Sequence, residues 1–411
     1  MYINQISDQK IKNRWSFIFV IFFCLSSIQF YQIAAIPLAI LYYIYYGLFL
    51  VTLILIIFKH HRSAKSVFGT AFLVILSALS LSIFSAALNW DQDWIDSFKA
   101  TSPYMVYVLF FLLVISKITI SETEKIIVVF GILYMVLFTV SYLIFPNTIL
   151  NVTQAYGDER GFQRIAINGI GFLFLFSFFS LKKYLVSRKY LWLLIYLVTC
   201  GFIVMTLTRT LIACSFLLSF IYFLRQSTVS NKFLLFGFAV ILMYGASQMS
   251  FFQWMKSETT MQIGSAKDDT RVLSVKYYLN DFSPNNLARI FGNGQPYYET
   301  NYARFVTKLE KGKGLYTSDI GYIGFYVKFG ILAILGYMLL IYKTIKVRIT
   351  ENHIYCKYYL YFIFIISLII DAPFNTGYIP SIVFAAYILF LSAKEYSMFK
   401  RFETKKLLRK V

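Results

Sequence analysis

The feature that most constrains this chain is a train of apolar runs, on the order of twenty residues each, recurring along nearly its whole length. Hydrophobic residues make up 59% of the 411 and charged residues only 14%, far from the balance of a water-soluble domain. Backbone amides cannot go unpaired in hydrocarbon, so such runs must satisfy their own hydrogen bonds as helices. A barrel would alternate apolar and polar residues, and these runs do not. The sequence predicts an all-α polytopic membrane protein of about twelve transmembrane helices, forming one integral membrane domain over residues 1–411. The expected spans are 15–30, 33–58, 66–88, 100–116, 126–146, 165–181, 190–207, 210–224, 233–250, 319–342, 358–371 and 376–393. The block from Trp15 to Phe58 would be about 66 Å long as one helix, too long for a single crossing, so a hairpin is expected near Tyr31 and Gln32. No clear cleavage site follows the first run, which argues against a signal peptide.

A formal net charge of +20 could suggest nucleic acid, but the positions of the charges point to topology. Twelve spans put both termini on one side, and most of the 39 lysines and arginines fall on that side. By the positive-inside rule that face is cytoplasmic. The four cysteines lie in spans or in a cytoplasmic connector, so no disulfide framework is implied on the other face. His60, His61 and His353 are cytoplasmic by the same count, which excludes a histidine base or a histidine-held zinc on the outer face.

One polar stretch interrupts the apolar pattern: residues 251–318, a long periplasmic loop between the ninth and tenth spans, expected to close a pocket that the spans build. Within it, Asp268 or Asp269 is a candidate N-cap for a helix bearing Val272, Val275, Leu279 and Phe282 on one face. Arg271 falls in the first turn, where the helix dipole gives a cation no benefit. Phe291-Gly292-Asn293-Gly294 reads as a structural turn, since a lone Gly-x-Gly is weak as a phosphate loop.

Other outer-face residues carry candidate chemistry. Arg160 and Arg164 precede the sixth span; their planar guanidinium forks match phosphate oxygens, although Asp158 and Glu159 could simply neutralise them. Arg209 is held between two spans with almost no loop, where a guanidinium is costly unless it binds an anion or snorkels to the headgroups. Asp319 stands at the start of the tenth span, either as a pocket-mouth acid or as an acid favoured by the helix N-terminus. That span carries Gly321, Gly324, Gly330 and Gly336, which permit close helix packing, and Lys328, which should face protein or a wet cavity. Trp90 and Trp94 read as an interfacial aromatic belt, with sugar stacking as the alternative.

The combination of Thr208-Arg209, Asp268-Asp269-Thr270-Arg271, Phe291-Gly-Asn-Gly294, Ser318-Asp319-Ile-Gly-Tyr322 and Lys328-Phe-Gly-Ile331 resembles the O-antigen polymerase (Wzy-type) family, over roughly residues 155 to 345. This family shares a superfamily of GT-C-like membrane glycosyltransferases with the O-antigen ligases. The resemblance implies a bacterial inner-membrane enzyme that moves a growing glycan from undecaprenyl pyrophosphate onto a new lipid-linked repeat unit at the periplasmic face. It implies no metal and no other cofactor. Its partners would be the undecaprenyl-pyrophosphate-linked oligosaccharide, membrane lipid and a chain-length regulator (a polysaccharide co-polymerase), with no nucleic acid. Arg160, Arg164, Arg209 and Arg271 would bind pyrophosphate and glycan, and Asp319 would be the catalytic base or acceptor-positioning residue, with Asp269 and Asp371 as its rivals. A ligase typically carries a histidine near the position of Asp319, and this chain has none there. A flippase for the same lipid-linked substrate is a further alternative, but no internal repeat supports it.

Overall fold

Helix follows helix through nearly all of the described residues. The computed structural model describes residues 2–59, 66–144, 150, 155–156, 164–165, 167–226 and 269–408. Their helices are α1 (Tyr2–Ser27), α2 (Leu38–Lys59), α3 (Gly69–Trp90), α4 (Trp94–Thr101), α5 (Leu109–Ser116), α6 (Ile120–Leu143), α7 (Ile170–Ser187), α8 (Tyr190–Met205) and α9 (Arg209–Gln226). After the polar stretch come α10 (Thr270–Asn280), α11 (Asn286–Phe291), α12 (Asn301–Lys313), α13 (Gly321–Lys346), α14 (Ile354–Ile366) and α15 (Ile379–Leu408). Two two-residue strands, β1 (Ala155–Tyr156) and β2 (Arg164–Ile165), pair antiparallel.

Among the described residues, seven helices are long and apolar enough to cross a membrane, the segment Trp94–Ser116 counting as one, and two shorter apolar helices, Arg14–Ser27 and Tyr190–Met205, accompany them. The chain is a polytopic helical membrane protein. The expected ninth span, 233–250, lies outside the described residues, as does the part of the polar stretch before Asp269.

The expected hairpin is present. Four consecutive residues from Gln29 to Gln32 take positive φ and end α1, and α2 restarts after Pro37. The fourth apolar run is tightened rather than regular: α4 passes through a 3-10 segment, Ser102–Val108, into α5, with Pro103 near its start. Proline has no N–H to give, so the tighter segment begins where an α-helical bond would be lost.

Helix α7 is the hub. Every residue from Gly171 to Lys182 is buried, as expected of a helix apolar on all faces. It packs against α6, α8, α9, α14 and α15, while α13 lies along α3. At that second contact Gly336 does what the sequence suggested: a Cβ there would fall 2.8 Å from Ile75 Cγ1.

The polar stretch builds a small core of its own from Tyr278, Phe282, Tyr302, Val306, Leu309 and Leu315. Its helices begin on side-chain caps. Asp269 accepts from Arg271 N at 2.8 Å, Asn285 from Ala288 N at 2.9 Å and Thr300 from Ala303 N at 3.2 Å. The cap on α10 matches expectation; its buried face does so only in part. Ser274, Tyr278 and Phe282 turn inward, whereas Val272 is 56% exposed and Leu279 41%. The inward stripe runs through a serine, which folds its hydroxyl back on Thr270 O, and a tyrosine, whose hydroxyl reaches Leu315 O. Of the four expected residues, Phe282 and Val275 pack into this core, while Val272 and Leu279 give way to Ser274 and Tyr278.

Candidate active site at the broken helix

The site begins with a break. Gly330 takes φ 76° and ψ −176° inside α13, so the helix is interrupted about two and a half turns into its length. The break turns the carbonyls of Val327 and Lys328 toward the polar stretch. Asn293 N donates to Val327 O and Gly294 N to Lys328 O, both at 2.8 Å, and the Asn293 side chain adds a second bond to Val327 O at 2.9 Å. The backbones meet because neither glycine has a side chain. A Cβ on Gly292 would lie 2.4 Å from Lys328 O, and one on Gly330 would lie 2.2 Å from Ile290 O. Phe291–Gly294 is thus a structural turn, and it fastens the polar segment to the membrane helix.

Asn293 is fully buried and held from two further sides, by Trp90 Nε1 at 3.0 Å and Ser283 Oγ at 2.9 Å. Trp90 in turn stacks on Tyr302 at 4.5 Å and lies near Phe282 and Phe305. Its ring anchors the loop core, so it is neither a lipid-facing belt residue nor an open sugar platform. Trp94 stands 47% exposed, edge-on to Phe84.

This fastening places Lys328 at the C-terminal end of the first half of α13, where the helix dipole favours a cation. Its Nζ lies 3.7 Å from Asp371 Oδ2, with both side chains largely buried. Asp371 occupies the turn between α14 and α15. Phe374 wedges its ring against Phe325 and Phe329, and Pro373 O accepts a hydrogen bond from the Tyr107 hydroxyl. An intramembrane lysine is thereby given a counter-ion on a fixed turn, as its cost in hydrocarbon demands.

Two more carboxylates adjoin the pair. Asp319 is exposed on the 3-10 turn Thr317–Asp319 and accepts from Ser318 Oγ at 3.2 Å. Its charge acts on both Asp371 and Glu310 of α12. Partial burial pushes the Glu310 carboxyl above its usual value; the Lys328 ammonium opposes this and the Asp319 charge adds to it. Asp319, Glu310, Asp371 and Lys328 form one electrostatic unit at the loop-side end of the bundle. Glu310 escaped the sequence reading, although it is the only acid of α12 and directly follows the buried Leu309.

The arginines are less concentrated. Arg209 is the first residue of α9, half-buried. Helices α9 and α14 pack together, and Tyr222 meets Tyr358 at 4.8 Å. Arg209 lies about 20 Å along α9 from Tyr222 at helical rise, and α14 runs on from Tyr358 to Ile366, just before the turn that carries Asp371. Arg209 therefore stands at the same end of the bundle as Asp371. Arg271 is exposed on α10, which packs against α13 and against the turn carrying Asp319. Arg164 belongs to β2, its backbone paired with Tyr156, and Arg160 lies outside the described residues. His353 is at the far end of α13, among Thr350 and Ser392, where burial lowers its imidazole to about 4 and leaves it neutral.

No family model matches the chain, and no curated protein or solved structure matches it significantly either.

Removing Lys328 while keeping Asp371 strands a largely buried carboxylate. Lys328→Met should destabilise the protein toward the lower end of about 3–5 kcal/mol, given the loose separation, and Lys328→Met/Asp371→Leu should recover most of the loss. Melting in detergent checks this; a single variant as stable as wild type would mean the pair carries no structural weight.

Proposed function

We propose that this chain polymerises lipid-linked oligosaccharide repeat units at the periplasmic face of a bacterial inner membrane, for O-antigen or another surface polysaccharide. In this reading twelve spans cross the membrane, both termini are cytoplasmic and the polar stretch is periplasmic. What carries the reading is the convergence at one end of the bundle: an exposed acid where the polar stretch meets α13, a largely buried ion pair electrostatically coupled to it and a permanent cation at the same end. The short sequence motifs ordered along that end support it.

The chemistry follows from those groups. The acceptor hydroxyl on the new repeat unit attacks the anomeric carbon of the growing glycan, and the bond from that carbon to the pyrophosphate oxygen breaks. Asp319 accepts the hydroxyl proton. The departing pyrophosphate stays on its undecaprenyl chain, its charge met by Arg209 and Arg271, with Arg160 and Arg164 as further ligands. A chain-length regulator would act on this complex from outside the site.

A deletion strain tests the assignment. Polymer should vanish while a single repeat unit remains attached to its carrier or acceptor; loss of that single unit as well would favour a ligase or flippase. Arg209→Lys should impair polymer formation nearly as much as Arg209→Ala, because the planar fork binds phosphate in a way a point charge does not. Full polymer length in the lysine variant, with normal protein in the membrane, would reduce Arg209 to an interfacial residue.

A further inference from the structure

We propose that a line of tyrosines leading to Asp371 binds the saccharide of the lipid-linked substrate. Its members are Tyr297, Tyr46, Tyr42 and Tyr104, with Lys99 between the first two. The proposal rests on the polymerase reading for the identity of the saccharide, but the track itself is a feature of the fold.

Geometry sets the line. Lys99 Nζ lies 5.4 Å over the Tyr297 ring, and the Tyr46 hydroxyl reaches Lys99 O at 3.4 Å. Tyr46 and Tyr42 are one helical turn apart on α2 and stack at 6.2 Å with their planes 23° apart. Tyr104 lies 5.5 Å from the Phe329 ring, which is itself 4.8 Å from Phe374 in the turn that carries Asp371, and Tyr42 and Asp371 both act on it electrostatically. The line is held rigidly from behind: the buried Tyr45 donates to Ser102 O at 2.7 Å, which pins α2 to the 3-10 segment bearing Tyr104. Tyr46 also leans on Phe98 at 6.3 Å.

Burial and polarity distinguish these four from their neighbours. Tyr45 and Tyr107 are buried and spend their hydroxyls on backbone carbonyls, while Tyr43 is 72% exposed. Tyr42, Tyr46, Tyr104 and Tyr297 are all half-buried. Among the described residues the hydroxyls of Tyr42 and Tyr104 make no hydrogen bond within the protein, which leaves two donor–acceptor groups for a ligand. A sugar ring presents apolar C–H faces and polar hydroxyl edges. Half-exposed phenols, which offer a flat apolar body and a polar tip, are complementary to both. The line ends beside the carboxylate paired with Lys328, so a saccharide lying on it would deliver one end to the charged mouth.

The experiment uses the purified full chain in proteoliposomes, with lipid-linked repeat units from the producing strain as substrate and the delipidated repeat unit as a binding probe. Tyr42→Leu and Tyr46→Leu keep apolar bulk and remove the ring. Each should raise KM for repeat units about threefold to tenfold while kcat changes less than about twofold. Tyr42→Phe and Tyr46→Phe fold in the same packing and should show a smaller rise. Saturation-transfer NMR should show contact between the delipidated unit and wild-type protein that is lost in the leucine variants. An unchanged KM, or NMR contact that survives in the leucine variants, would make these residues lipid-interface anchors only and overturn the track. Wild-type protein that makes no polymer yet shows the tyrosine-dependent contact would overturn the polymerase reading and leave the track standing.

Discussion

Asp319→Asn is expected to bind lipid-linked repeat units and make almost no polymer. An acceptor hydroxyl is a poor nucleophile, and a carboxylate that takes its proton contributes on the order of a hundredfold or more in rate. The substitution keeps the shape and hydrogen-bonding capacity of the side chain and removes its basicity. Asp319 is exposed on a short turn where the polar stretch meets α13, whereas the other described acids near it are engaged or partly sheltered: Asp371 pairs with Lys328, and Glu310 is partly buried. Asp269→Asn is the matched control. Asp269 caps α10 through Arg271 N, and asparagine caps a helix about as well, so that variant should keep most of its activity. Turnover by purified protein separates the two. If Asp319→Asn forms polymer at the wild-type rate, the base lies elsewhere, and Asp371 becomes the next carboxylate to remove.

The second large effect is structural. Gly292→Ala and Gly330→Ala should each prevent accumulation of folded protein. Both glycines take positive φ, which costs another residue on the order of 1–3 kcal/mol. Each would also drive a Cβ into backbone on the opposing segment, where no flexible side chain can give way. Separating the segments would strip Val327 O and Lys328 O of their donors, about 1–3 kcal/mol for each buried group left unsatisfied. Gly312→Ala is the control, because a Cβ there meets nothing within 4 Å. Yield of monodisperse protein on size exclusion reads the difference. Well-folded Gly330→Ala protein would mean that the break is not fastened as described.

Much of the architecture was legible because it follows from local rules. Apolar run length marked membrane helices, the 44-residue block from Trp15 to Phe58 had to turn, and Asp269 stood where a cap belongs. The interior of the site was not legible, because its bonds are long-range. Trp90 and Asn293 are 203 residues apart, and nothing in Asn-Trp-Asp-Gln-Asp-Trp tells a belt tryptophan from one that anchors a loop. Gly330 read as a packing glycine because its letter is the same whether a helix passes close by or breaks. Lys328 had no visible counter-ion in its own segment, since Asp371 comes from the turn after the next helix. Conversely, the exposed position of Asp319 at the junction of loop and helix was legible because it sits where polar sequence meets an apolar run.

The most direct measurement is polymer formation by the purified chain alone, in liposomes supplied only with undecaprenyl-pyrophosphate-linked repeat units. A ladder of lipid-linked glycans, each step one repeat unit longer, with free undecaprenyl pyrophosphate released in equal number to the new linkages, is the predicted result. Repeat units that stay single while the wild-type protein remains folded and moves them across the bilayer would contradict it and make the chain a transporter.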